Sequence, residues 1–248
     1  MSSPKIVLIH IGKFNEREPS CGIAPALGIV YLASYLNKNG FSTIALDTRL
    51  SDKNTFFPLL RPHLTESVLI GLSVMTPLVK EALEVTGYIK SISPSTPVVW
   101  GGFHATLYPE PTIRYPHIDY IIMNEGERGL KSLAEALHDK KPIHEVPNLV
   151  WEQGGSIQKN PILPGEDLDT IGIPDYRSFT FTPYIEKSQF TGTSKIDILT
   201  SRGCTAHCTF CINSILHKCS WRPETIQQTL RNIDAVRDLY DPKHMCFT

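Results

Sequence analysis

Cys204, Cys208 and Cys211 are the residues best placed to do chemistry. They stand in the run Ser201-Arg202-Gly203-Cys204-Thr205-Ala206-His207-Cys208-Thr209-Phe210-Cys211, spaced C-x3-C-x2-C, and no fourth cysteine follows at close, regular spacing. Thiolates are the natural ligands of iron–sulfur clusters. Three of them can hold three irons of a cubane. The fourth iron is then open to a substrate or cofactor, unlike the four-cysteine ligation of an electron-transfer cluster. A zinc site would have to recruit His207, His217 or Cys219. Zinc usually takes four protein ligands in two close pairs, and the second pair is missing, so ligand count favours the cluster. Cys21, Cys219 and Cys246 are scattered and read as small hydrophobes or free thiols. The six cysteines in a chain with no signal-peptide pattern do not suggest a disulfide framework.

The cysteine run must be held by elements on either side of it. Residues 196–200 read as a strand leading straight into the loop. A helix is expected over about 223–239, with Pro223 and Glu224 in its first turn and Ile226, Leu230, Ile233 and Val236 as its apolar stripe. Residues 244–248 read as the next strand. A β-α-β start closes neither a barrel nor a sheet, so the chain is expected to be truncated at its C-terminus.

The first 140 residues or so alternate strand and helix patterns, which indicates a parallel α/β sheet. Strands are expected at 5–10, 42–46, 68–73, 97–100 and 120–123. Between them fall helical patterns at 25–39, which Gly40 should stop, and at 56–64 and 78–92, with a last helix at 127–137. Five strands with interleaved helices fit a flavodoxin-like doubly wound sheet. Leu149-Val150-Trp151 and Ser156-Ile157, around Gly154-Gly155, read as a small hairpin, followed by a proline-marked linker. The chain thus divides into 1–142, a hairpin and linker over 143–190, and a second unit over 191–248.

Every polar cluster of the first unit follows a strand. Ser73-Val74-Met75-Thr76 follows the third, Gly101-Gly102-Phe103-His104-Ala105-Thr106 the fourth and Asn124-Glu125-Gly126-Glu127 the fifth. They share the rim on which doubly wound sheets bind ligands, and paired glycines let a large ligand approach the backbone. For several of these residues a plain structural role stands beside the functional one. His104 either caps or bonds locally or touches ligand. Glu125 and Glu127 either favour a helix start or serve a ligand or interdomain role. Asp47 either ends its strand or contacts ligand. Phe210 packs in a core, lies beside the cluster, or does both.

The chain has 248 residues, 41% of them hydrophobic, and a formal net charge of −1. That is enough for a real core, and it gives no reason to expect a nucleic-acid or anionic-membrane partner. No apolar run is long enough to span a bilayer, and a cytoplasmic location is expected.

The cysteine run resembles the radical SAM superfamily, whose hallmark is C-x3-C-x2-C with an aromatic residue before the last cysteine, here Phe210; Arg202-Gly203 also matches many members. The resemblance implies a [4Fe–4S] cluster on Cys204, Cys208 and Cys211. Its open iron would chelate S-adenosylmethionine, which reduction cleaves to a 5′-deoxyadenosyl radical. The rim resembles the cobalamin-binding domain found ahead of radical SAM domains. Gly101-Gly102-Phe103-His104-Ala105-Thr106 matches that family's G-G-x-H-A-T, and Asn124-Glu125-Gly126-Glu127 approximates its G-E-G-E, with Asn124 in place of a glycine. The implied ligand is cobalamin, its nucleotide tail running into the sheet beside Ser73, Thr76, Gly101 and Gly102, with His104 and Glu125 in the same site. The D-x-H-x-x-G loop of methionine-synthase-type domains is absent after the first strand, so no histidine is expected below cobalt. The two resemblances together cover essentially the whole chain and imply methyl transfer to an unreactive carbon of a small-molecule or peptide substrate. An electron donor such as flavodoxin or ferredoxin is implied too. Two other readings stand beside this one: a radical SAM enzyme whose first domain is a scaffold without cobalamin, and a non-catalytic cobalamin- or metal-binding fragment.

Overall fold

The central strand is apolar on both sides of its pleat because both of its faces are covered. In β1 (Lys5–His10), Ile6 and Leu8 enter one core layer while Val7 and Ile9 enter the other. The computed structural model describes residues 3–14, 26–174, 176–178, 195–216 and 220–248. After β1 come α1 (Leu27–Lys38), β2 (Ser42–Asp47), α2 (Lys53–Leu60), β3 (Ser67–Ser73), α3 (Val79–Ile92) and β4 (Val98–Gly101). Two short helices follow, α4 (Gly102–Leu107) and α5 (Pro109–Ile113), then β5 (Tyr120–Ile122) and α6 (Gly126–Asp139). Next are β6 (Leu149–Gln153), β7 (Ser156–Lys159) and α7 (Leu168–Ile171). The remaining elements are β8 (Lys195–Ile198), β9 (Ser201–Gly203), α8 (Ile212–Leu216), β10 (Trp221–Pro223), α9 (Ile226–Tyr240) and β11 (His244–Phe247).

The main sheet has the order β2-β1-β3-β4-β5-β6-β7, parallel through β5 and antiparallel beyond it. This is the flavodoxin-like doubly wound arrangement, with its switch point between β1 and β3. The hairpin β6–β7 is not a free part of the linker. It extends the sheet, Ile121 pairing with Val150 and Ile122 with Leu149. Helices α1 and α6 cover one face through Val30, Ala33, Leu130 and Leu133; α2 and α3 cover the other through Phe56, Ala82, Val85 and Ile89. Gly40 takes the left-handed conformation (φ +91°) just past α1, where a glycine stop was expected.

The second unit shares the core of the first. Ile196 and Ile198 of β8 and Val236 of α9 join the layer built on α1 and α6. β11 lies parallel to β8, so β8, α9 and β11 make one βαβ unit. Two expectations fail here. Pro223 lies in β10 rather than in a first helical turn, and α9 starts after Thr225, whose hydroxyl accepts from the Gln228 amide. Only the C-terminal half of the α9 stripe is covered: Val236 is buried and Ile233 partly so, while Ile226 and Leu230 are exposed.

Candidate functional site

Strand register builds the rim. Across the sheet, His10 pairs with Asp47 and with Ser73, and Ser73 pairs with Gly101, so all four strand ends stop level. Asp47 is buried and turned onto its own chain. It accepts from the Arg49 amide at 2.9 Å and pairs with the Arg49 guanidinium at 2.6 Å, which is the strand-ending role. Gly102 has φ +83°, and a Cβ there would stand 2.8 Å from the Val74 amide nitrogen. The second glycine is therefore required by the chain's own turn: Val74 N–H donates to Gly101 O and His104 N–H donates to Val74 O. The rim position expected to hold glycine but filled by Asn124 is left-handed (φ +61°), a conformation asparagine tolerates. The Asn124 amide donates to Thr106 Oγ1 at 2.9 Å, tying the two rim motifs together.

His104 lies in α4 rather than in a loop. It is 7% exposed, its Nδ1 is 3.2 Å from Thr76 Oγ1, and its ring stacks on Tyr115. Burial holds its pKa below the usual histidine value, and Nε2 is buried without a hydrogen-bond partner. Thr76 itself is exposed.

A cavity of about 470 Å³ opens at the switch point. Ser73, Gly101, Gly102 and Glu125 line it; Thr76 and His104 lie to one side. Its floor is apolar, made by Leu8, Leu32, Val99, Ile122 and Leu130 around Gly71. Gly71 was not singled out from sequence, because a glycine inside a strand signals close approach without saying to what. Tyr31 was also missed. It is buried on α1, donates to Leu199 O and accepts from Leu199 N at 2.9 Å, and burial drives its pKa upward. It pins the segment between β8 and β9.

Ser201, Arg202 and Gly203 line the same cavity from the other side, as does Asn213 after the third cysteine. β9 and β10 pair at the neck of the cysteine loop, with Arg202 opposite Arg222. Arg202 Nη1 donates to Glu125 Oε2 at 3.0 Å and Nη2 to Glu127 Oε1 at 2.7 Å. Arg222 Nη2 also pairs with Glu125, and its Nη1 donates to Glu166 O at 2.8 Å. Burial opposes charge on Arg202, but the two carboxylates outweigh it and hold the guanidinium ionised. Glu127 Oε2 is buried with no donor. Of the two roles weighed for Glu125 and Glu127, this geometry exhibits the interdomain one, while both residues also border the cavity.

Cys204 and Cys211 are partly exposed and Cys208 is exposed. Cys211 N–H donates to Cys208 O, and Ala206 N–H lies 3.4 Å from the Cys204 sulfur. Phe210 is 91% exposed, so it packs in no core here. Among the described residues no three His, Cys, Asp or Glu side chains gather at one point to hold a single ion. A cubane places its thiolates on separate irons. His217 and Cys219, the other residues of the zinc alternative, lie outside the described residues.

Residues 20–134 match the family model of the B12 binding domain. The chain is 28% identical over 229 residues to an uncharacterized methyltransferase of Pyrococcus horikoshii, covering 90% of this chain and 48% of that protein. It superposes with TM-score 0.76 and 24% identity on the cobalamin-dependent S-adenosylmethionine radical enzyme OxsB, solved with aqua-cobalamin and S-adenosylmethionine bound, covering 99% of this chain and 34% of that one. It also superposes with TM-score 0.77 and 18% identity on TsrM from Kitasatospora setae, a radical S-adenosylmethionine methyltransferase solved with cobalamin and a [4Fe–4S] cluster, covering 100% and 49%. The chain spans about half the length of the curated relatives it matches. The chain thus carries a match to the B12 binding domain along its rim and a C-x3-C-x2-C loop beside it, and it is similar in fold to cobalamin-dependent S-adenosylmethionine radical enzymes.

Proposed function

We propose that this chain holds a corrinoid at the sheet rim and a [4Fe–4S] cluster on Cys204, Cys208 and Cys211, and serves methyl transfer to an unreactive carbon. The observation that carries this reading is the shared cavity: the rim of the B12 binding domain and the stretch leading into Cys204 line one space. Its residues suit the corrinoid. The apolar floor around Gly71 would take the flat aromatic base of the nucleotide tail, and Ser73 in the lining offers a polar group for amides. The thiolate donor set suits a cluster with one open iron. When bound, these groups supply one-electron cleavage of S-adenosylmethionine and a cobalt-borne methyl group; the protein positions them and excludes water.

The chain's own residues do that positioning. Tyr31 and Arg202 fix the backbone on either side of Ser201, and Gly203, left-handed at φ +92°, turns the chain into Cys204. Cys208 and Phe210 face outward, which leaves the loop accessible to a protein electron donor such as flavodoxin or ferredoxin. Titration of the chain with hydroxocobalamin, followed in the visible spectrum, tests the first half of the reading. Saturable binding at one site per chain is expected. No spectral change at any concentration would return the domain to a scaffold role.

A further inference from the structure

We infer that Glu125 couples the two cofactor sites, so that filling the corrinoid cavity orders the neck of the cysteine loop and sets the position of Cys204. This inference rests on the proposed function and names a positioning residue within it. The neck is the two-stranded ribbon β9–β10, and residues 204–220, with all three cysteines, lie between its strands. Arg202 and Arg222 are direct cross-strand partners, and like charges facing one another across a ribbon push it apart. The Glu125 carboxylate sits between them, one oxygen on each guanidinium, so the neck closes only when Glu125 is in place. Glu127 holds Arg202 from the first turn of α6.

Among the described residues, three chain segments meet at Glu125. It precedes α6 on the rim; the neck arginines approach from one side; and Gly165 of the linker is pressed against it so closely that a Cβ there would run into the carboxylate. Both acids flank Gly126, and all three residues border the corrinoid cavity. The Arg202 side chain is 11% exposed, so the pair is largely shielded from solvent and the geometry is tightly specified. A ligand that fills the cavity fixes the Glu125-Gly126-Glu127 turn, and through it Arg202, which is two residues from the first cluster ligand.

The test uses the full chain without iron, with hydroxocobalamin as the probe. Iodoacetamide labelling, resolved cysteine by cysteine by mass spectrometry, reports the exposure of Cys204. Saturating cobalamin is expected to slow Cys204 labelling by about tenfold and Cys246 labelling not at all; by linkage, assembling the cluster should tighten cobalamin by a comparable factor. In Glu125→Gln the ratio of labelling rates with and without cobalamin should collapse to about one, and Glu125→Asp should restore part of it. Cobalamin that binds wild type yet leaves Cys204 labelling unchanged would overturn the coupling while leaving the proposed function standing. So would a full effect in Glu125→Gln. Cobalamin that does not bind at all would overturn the proposed function and the coupling together. The wild-type linkage measurement alone can overturn the coupling, and Glu125→Asp carries the residue-specific test if Glu125→Gln fails to fold.

Discussion

Gly102 and His104 show how one short motif divides its work. The spacing Gly-Gly-x-His-Ala-Thr was legible in the sequence as a rim motif, and the paired glycines suggested close approach of a ligand. Their immediate cause is internal, since Gly102 is left-handed and its missing Cβ makes room for the Val74 backbone. Gly102→Ala should cost about 1–3 kcal/mol in denaturant unfolding, because the strain is local whether or not a ligand is bound. His104 was weighed between a structural and a ligand role; its ring lies buried against Tyr115 with Nδ1 at Thr76, contacts internal to the fold. Its folded pKa is depressed below the ordinary 6.5, so the neutral ring is favoured in the fold. The stability this represents is complete above about pH 6.5 and is lost as pH falls toward the folded value. The drop in melting temperature between pH 7 and pH 5 should therefore be smaller in His104→Gln than in wild type. The pairing of Arg202 with Glu125 and Glu127 could not be read in the same way. It joins residues 77 and 75 positions apart, and nothing in local sequence says which acid a distant arginine will meet.

At the scale of elements, period and composition carried most of the fold. The runs that form β1 and β3 and the stripe of α6 could be read because burial repeats along them with the period of a strand or a helix. Misreadings arose where tertiary placement, rather than local pattern, decides. The hairpin β6–β7 reads alike whether it stands free or extends a sheet. Pro223 suits a helix start but is taken by β10, which pairs with β9. The α9 stripe is regular, yet only its C-terminal half, Ile233 and Val236, is covered. A pair of substitutions separates these cases. Leu133→Ala, fully buried on α6, should cost about 2–5 kcal/mol. Leu230→Ala, 56% exposed on α9, should stay within about 0.5 kcal/mol of wild type in the same unfolding experiment.

Across the whole molecule, the two units share a core and a cavity. Ile196, Ile198 and Val236 pack into the layer of the B12 binding domain, and the linker is anchored where Glu166 bonds Arg128 and Tyr35. Arg128 holds the Glu166 carboxyl below its usual range, and burial together with Glu166 pushes the Tyr35 hydroxyl up to about 12. Among the described residues no helix is long and apolar enough to cross a membrane. The alternation of strands and helices was visible from rhythm alone; the docking that brings rim and loop together was not, because it depends on contacts between distant segments. On the proposed reading, that docking would make one site of two cofactors. It is tested most directly by anaerobic reconstitution of the chain with iron, sulfide and hydroxocobalamin, comparing wild type with a Cys204→Ala, Cys208→Ala, Cys211→Ala triple variant. We expect wild type to retain cobalamin and about four irons per chain, and the triple variant to retain cobalamin and lose the iron. An iron-free wild type, or a triple variant with undiminished iron, would contradict the cluster assignment and with it the two-cofactor site.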